Sequence, residues 1–304
     1  NAALDTARSF VTRRFNASDA TLSEPRLEVF NQGILGGKDF PTRLAWFVEA
    51  RALGLRQFIW IDATNGIVLL NFSQLTDAKN RQIYNGNSLP ALPGTLIRSE
   101  GGVAAGGPDA DNAYDFSGHT YDYFFTNHAR DSYNGAGAPL LSTIAHCPSG
   151  GPCPYQNAFW NGTQMVYGAG FSNADDVVAH ELTHAVTEYS ANLFYYMQSG
   201  ALNESFSDIF GETVDLGNGA GNDSAGVRWH MGEDIGAIRN MMTPTAFGDP
   251  GKMTDTQFKC ETDPAGQFGD GGGVHGNSGV PNHAYALMVD GGTYNSITVA
   301  GIGL

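Results

Sequence analysis

Val178-Ala179-His180-Glu181-Leu182-Thr183-His184 is the stretch that decides how this 304-residue chain is read. Residues four apart on a helix share a face, so His180 and His184 can point at one ion. Neutral imidazole suits zinc, and helical spacing sets two corners of a tetrahedron at little entropic cost. Glu181, beside His180, can face a water on that ion. Ser172, Asn173 or Asp175 is placed to cap the helix, whose pattern runs to about Tyr189. A five-residue His-Glu-x-x-His match also arises by chance, and paired histidines on helices are often ordinary surface or core residues. The pentamer alone leaves both possibilities open.

Downstream, Gly200-Ala201-Leu202-Asn203-Glu204-Ser205-Phe206-Ser207-Asp208 begins a second helix, with Leu202, Phe206, Ile209 and Phe210 as its expected apolar face. Glu204 and Asp208 are four apart and share a side. In isolation they would be a solvated helix face. After a histidine pair, Glu204 becomes a third zinc ligand. Asp208 can then accept a hydrogen bond from the far nitrogen of a ligand histidine, fixing its tautomer and raising its basicity. Three protein ligands leave one position for water, as in a catalytic site; a structural site would add a fourth ligand, usually cysteine. None of the three cysteines lies near either helix in sequence. Glu181 is the residue placed to take a proton from a zinc-activated water. A third patch, Asp270-Gly271-Gly272-Gly273-Val274-His275-Gly276-Asn277-Ser278-Gly279, lets backbone approach a substrate closely. There Asp270 can orient His275, a candidate donor to an oxyanion. The alternative is a glycine loop carrying a surface histidine.

The totals set bounds. A chain of this length with 41% hydrophobic residues is globular, and 40 glycines with 15% charged residues favour loops over a helical bundle. The formal charge of −15 with 16 Lys plus Arg leaves no basic stripe for nucleic acid. No run of 18 or more apolar residues suggests a membrane span, and a monomer is expected. Cys147 and Cys153 bracket Pro-Ser-Gly-Gly-Pro, a turn able to join them; a local disulfide implies an oxidising, extracellular setting. Two unrelated thiols are the alternative, and Cys260 is left over. The chain opens on Asn1 without a signal peptide, so it is expected to be processed, trimmed or a fragment.

Residues 1–80 read as a unit of their own. Asp5–Phe15 has helical spacing, and Leu44–Ala52, Gln57–Ile61 and Ile67–Phe72 read as strands, the last two around an Asn65-Gly66 hairpin. Residues 81–110 read as a Gly/Pro-rich linker leading into a shortened amino-terminal lobe. Residues 111–198 follow as a catalytic lobe, with a helix over Ala113–Arg130 and a strand over Asn157–Tyr167. Residues 199–304 read as a helical, incomplete carboxy-terminal lobe.

Taken together these patches resemble the thermolysin family of secreted zinc metalloendopeptidases, over roughly Asp111–Leu304. His180, Glu181, His184 and Glu204 match its zinc and base positions, and the 19 residues between His184 and Glu204 match its spacing. Related zinc aminopeptidases usually have one fewer. The resemblance implies an α+β, two-lobe metalloprotease fold with the zinc helix between the lobes. It makes Tyr195 a partner of His275 at the oxyanion, Asp270 the carboxylate orienting that histidine, and Arg239 the group holding a substrate carbonyl. Asn157 and Ala158, in Asn157-Ala158-Phe159-Trp160-Asn161-Gly162, would bind substrate backbone. Asp176, Asp215 and Glu233 fall where relatives place calcium carboxylates, although Arg228 and His230 near Trp229 suit a hard cation poorly, and Asp223 is the candidate compensation. The first unit resembles the end of a PepSY-type propeptide. The implied activity is cleavage of proteins and peptides before bulky apolar residues, by a secreted enzyme made as a proenzyme and inhibited by its own propeptide. The resemblance also implies helices beyond Leu304, where the partner of Cys260 would lie.

Overall fold

The structure is a computed structural model that describes residues 2–15, 17–31, 33, 41–52, 55–74, 79–260 and 270–304. Two compact units are present: Asn1–Ala78 with Gly135–Gly137, and Lys79–Asn134 with Ala138–Leu304. In the first, helix α1 (Ala2–Phe15) buries Ala3, Ala7 and Val11, four apart on one face. They pack on Val48, Ala50, Leu55, Ile59 and Ile61 of an antiparallel sheet. Strands β1 (Thr21–Leu22) and β2 (Arg26–Phe30) both pair with β3 (Arg43–Ala52), which pairs with β4 (Leu55–Asp62), then β5 (Val68–Ser73). At the β4–β5 turn Gly66 takes φ +74°, whereas Asn65 is not among the residues at positive φ. Asn65 acts through its side chain instead, accepting the Ile67 N–H at 3.0 Å.

The second unit opens on β6 (Arg81–Asn85) and β7 (Thr95–Ser99), so the stretch expected as linker already contains two strands of the sheet. Their glycines and prolines sit in the connections on either side, which is why composition alone suggested a linker. Helix α2 (Pro108–His128) starts with Pro at its first turn, where no intrahelical N–H is needed. It ends on Ala129 at φ 49°, whose N–H returns to the Phe124 carbonyl. Next come β8 (Leu140–Ile144), β9 (Ala158–Trp160) and β10 (Met165–Tyr167). The Asn157–Tyr167 strand is therefore a hairpin: Asn161 Oδ1 accepts the N–H groups of Thr163 and Gln164 and turns the chain. Sheet order is β7-β6-β8-β10-β9, with β6–β8 and β8–β10 parallel. Ile83, Leu140, Met165 and Tyr167 from this sheet share one core with Ala113 and Tyr114 of α2.

Helix α3 (Asp175–Glu188) adds Val177, Val178 and Leu182 to that core. Ala174 occupies its N-cap and no side chain caps it; Ser172 and Asn173 are drawn instead to Asp109. Helix α4 (Met197–Asn218) runs against α3, starting earlier than expected. After it come the pair β11 (His230–Met231) and β12 (Arg239–Asn240), helices α5 (Val274–Asn277) and α6 (Gly279–Asp290), and the hairpin β13 (Gly292–Tyr294) with β14 (Ile297–Val299). Cys147 and Cys153 form the expected disulfide, while Cys260 is free and exposed. Among the described residues no helix is long and apolar enough to cross a membrane.

Candidate active site

The α3–α4 contact sets the site. Both histidines leave α3 on the face toward α4, and Glu204 enters from α4, fully buried. His180 Nε2 and His184 Nε2 are 2.9 Å apart, and the Glu204 carboxylate lies 3.5 Å from the first and 3.3 Å from the second. An ion bound tetrahedrally at about 2.0–2.1 Å would hold its ligand atoms about 3.3 Å apart. The three groups fit zinc in donor chemistry too, and buried Glu204 Oε2 has no hydrogen-bond partner. Their convergence is also the one grouping of His with acid among the described residues that places three ligand atoms within 4.8 Å.

Each histidine is gripped on its other nitrogen. His180 Nδ1 lies 2.8 Å from Asp208 Oδ1, and His184 Nδ1 lies 2.8 Å from Asn203 Oδ1. Burial opposes charge on Asp208, but Arg239 and then His180 hold its pKa down at about 2. Glu181, buried beside the ligands, is raised by that burial, with His180 and His184 pulling the other way. Tyr195 donates to Glu204 and sits 3.2 Å from His275 Nε2. Asp270 Oδ1 is 2.6 Å from His275 Nδ1. Burial disfavours the imidazolium, but Asp270 and Glu204 outweigh it and raise the His275 pKa.

His180, Glu181, His184, Tyr195, Glu204 and His275 line a cleft of about 740 Å³. Asn157 and Ala158 border it at β9, which pairs with β10 along its other edge. Apolar Val177, Met231 and Ile238 line the cleft as well, together with Arg239.

Comparison with known proteins agrees with this geometry. The sequence model of the thermolysin metallopeptidase catalytic domain matches residues 57–188, and that of the alpha-helical domain matches residues 191–304. The chain belongs to the thermolysin metallopeptidase family. Bacillolysin from Brevibacillus brevis is 44% identical over 242 residues, covering 75% of this chain and 41% of its own length. Thermolysin from Alicyclobacillus acidocaldarius is 40% identical over 240 residues, covering 72% of this chain and 40% of its own length. The chain thus spans about two fifths of the curated relatives it matches. The precursor of protealysin from Serratia proteamaculans has a similar structure, with a TM-score of 0.58 and 35% identity over 69% of this chain and 68% of that one. The fold is the thermolysin-like pair of a β-rich catalytic domain and a helical domain. The catalytic-domain match begins inside β4, well before the Asp111 start expected from the motifs.

In this thermolysin-family chain Arg239 does not extend freely into the cleft. Its guanidinium is bidentate on Asp208, Nη2 to Oδ1 at 2.6 Å and Nε to Oδ2 at 2.9 Å. Asp176, Asp215 and Glu233 lie near enough to influence one another's charge, with Glu212 beside them, while the carboxylate oxygens of Asp175, Glu233 and Asp234 come within 4.8 Å of one another. Burial raises the pKa of Asp176, with Glu233 adding to it. Burial and then Asp175 raise Asp215, and burial pushes Glu233 up to about 7. One oxygen each of Asp175, Glu212 and Asp215, and both of Glu233, are buried without hydrogen-bond partners. Partial burial, and then the charge of Asp175, raise the pKa of Asp223. Arg228 is turned away onto Asp290 at 2.7 and 2.8 Å, and His230 packs on Phe247.

Asn203 is also absent from the motif reading. Its place just before Glu204 was the available signal, because a helix turns only about 100° per residue and so keeps neighbours near the same site. Asn282 donates to Asp208 from α6, 74 residues away, and nothing in the local sequence marks it.

Proposed function

We propose that this chain is a zinc-dependent endopeptidase that hydrolyses internal peptide bonds of proteins. The observation that carries the proposal is the convergence of His180, His184 and Glu204 with Glu181 beside them in an open cleft. When bound, zinc supplies a Lewis acid that acidifies water and polarises the scissile carbonyl. Glu181 takes the proton from the attacking water and returns it to the leaving amine. Asp270 holds the Nδ1–H of His275 and favours the imidazolium, whose Nε2–H can donate to the developing oxyanion. Tyr195 donates beside it. Asp208 aims His180, Arg239 meets a substrate carbonyl, and Asn157 with Ala158 pair with substrate backbone along the β9 edge. Val177, Met231 and Ile238 favour a bulky apolar residue after the cut.

Three further parts follow. Residues 1–80 act as a PepSY-type propeptide that the enzyme removes from itself, which the likeness to the protealysin precursor supports. Asp176, Asp215 and Glu233, with Glu212, bind calcium; the unpartnered buried oxygens of Glu212, Asp215 and Glu233 support a hard cation. The protein is secreted, in keeping with its disulfide.

The test is an internally quenched peptide with Phe or Leu at its centre, incubated with wild type, Glu181→Ala and wild type plus a zinc chelator. Cleavage on the amino side of the apolar residue is expected, and loss of cleavage in both controls. Hydrolysis that survives either control would sink the mechanism.

A further inference from the structure

Asp208 is fully buried and carries a charge, so its four acceptor directions must be filled. Arg239 takes one on each oxygen, Asn282 Nδ2 takes the second on Oδ2 at 2.7 Å, and on the other side His180 Nδ1 lies 2.8 Å from Oδ1, at ion-pair distance. Because a carboxylate only accepts, the amide of Asn282 must present its nitrogen here. Its own Oδ1 is then left buried without a partner, in a side chain that is 1% exposed. A leucine of similar size would avoid that unmet acceptor, so the amide at this position is explained by the bond it donates.

We infer that Asn282 is a positioning residue of the metal centre, holding Asp208 so that His180 keeps its aim at the ion. The inference rests on the zinc reading above. Arg239 fixes the carboxylate laterally through its planar fork and leaves its tilt out of the plane of the fork to be set by other partners. A tilt that carries Oδ1 off His180 moves Oδ2 as well, and Asn282 holds Oδ2 from a separate helix and so opposes it. The chain from metal to α6 therefore runs His180, Asp208, Asn282, and it ties the helical end of the unit to zinc retention.

The experiment measures zinc affinity of the full chain by competition with a chromophoric chelator, alongside thermal unfolding of the zinc-free protein. Direct partners of ligand histidines are typically worth 10–100-fold in metal affinity. One bond further out, Asn282→Leu is expected to weaken zinc binding roughly tenfold. Asn282→Asp, which puts a second carboxylate beside Asp208, should weaken it further. A role confined to packing predicts unchanged zinc affinity in Asn282→Leu with an altered unfolding temperature. In an Asp208→Asn background, Asn282→Leu should cost nothing more, whereas fully additive losses would overturn the inference. If Asn282→Leu does not fold, Asn282→Ser, too short to reach Asp208, is read the same way. Wild-type affinity in the folded variants overturns the role of Asn282 alone. Wild-type protein that takes up no zinc overturns the metal reading, and this inference with it.

Discussion

Glu181 and His275 are asked to do different things, and single substitutions separate them. Glu181→Gln keeps size and polarity but cannot accept a proton. It should lower kcat by on the order of 10²–10⁴ while zinc content by elemental analysis stays at the wild-type level. Loss of zinc in this variant would mean that Glu181 is structural. On the proposed mechanism His275→Phe removes the donor to the oxyanion and leaves His180, His184 and Glu204 in place. It should cost about 10²–10³ in kcat with little change in KM, as measured by steady-state hydrolysis. A KM effect instead would make His275 a substrate-binding group. At this scale the sequence was most legible, because His180, Glu181, His184 and Glu204 sit on two helices whose spacing is itself geometric information.

At the level of elements the least expected feature is the orientation of α4. Leu202 and Phe206, expected to face inward, are 42% and 44% exposed, while Glu204, Ser205, Ser207, Asp208, Glu212 and Asp215 are buried. Apolar periodicity misled because this helix is placed by what its polar side must reach, ligands on one turn and acids further along. Small residues allow close approaches along α4: a Cβ on Gly211 would meet the Asp176 carbonyl oxygen, and one on Gly200 would collide with Val274 of α5. The β9 edge depends on a similar close approach at Gly168, whose N–H meets the Asn157 carbonyl at 2.9 Å. A Cβ there would fall onto the Tyr155 carbonyl oxygen, which is backbone and cannot turn aside like a side chain. Gly168→Ala should therefore cost about 1–3 kcal/mol of stability. It should also raise KM for peptides, because the displaced strand carries Asn157 and Ala158. Urea denaturation and a Michaelis plot check the two parts; an unchanged midpoint and KM would show that the loop relaxes freely.

Across the whole molecule the surplus of acid becomes a stability question. Asp176, Glu212, Asp215 and Glu233 all have raised pKa values in the fold, Glu233 up to about 7. Between the ordinary carboxylate value near ~4 and about 7 the folded chain therefore holds more protons than the unfolded one. Unfolding free energy must then fall as pH rises through that window. Calcium, binding the charged carboxylates of the folded state, should reverse the trend, by about 2.7 kcal/mol at a hundredfold excess over its Kd. Unfolding temperatures of calcium-depleted and calcium-loaded protein at pH 5 and 7.5 provide the check. A depleted protein whose midpoint is flat in pH and indifferent to calcium would leave the cluster without a cation role.

What the sequence determined by itself was the chemistry that local geometry can encode. Helical spacing put His180 with His184 and Glu204 with Asp208, a five-residue turn allowed Cys147 to meet Cys153, and Asp62 to Gly66 announced a turn. What only the tertiary structure decided was everything set by meetings between distant segments. Asn282 reaching Asp208, Arg239 held on that same carboxylate, and Asp175 and Glu212 joining Asp176 depend on how helices and loops pack together. The inward polar face of α4 belongs there too. Periodicity reports which face of an element is apolar, but the partner across the interface decides which face is buried, and that partner lies elsewhere in the chain.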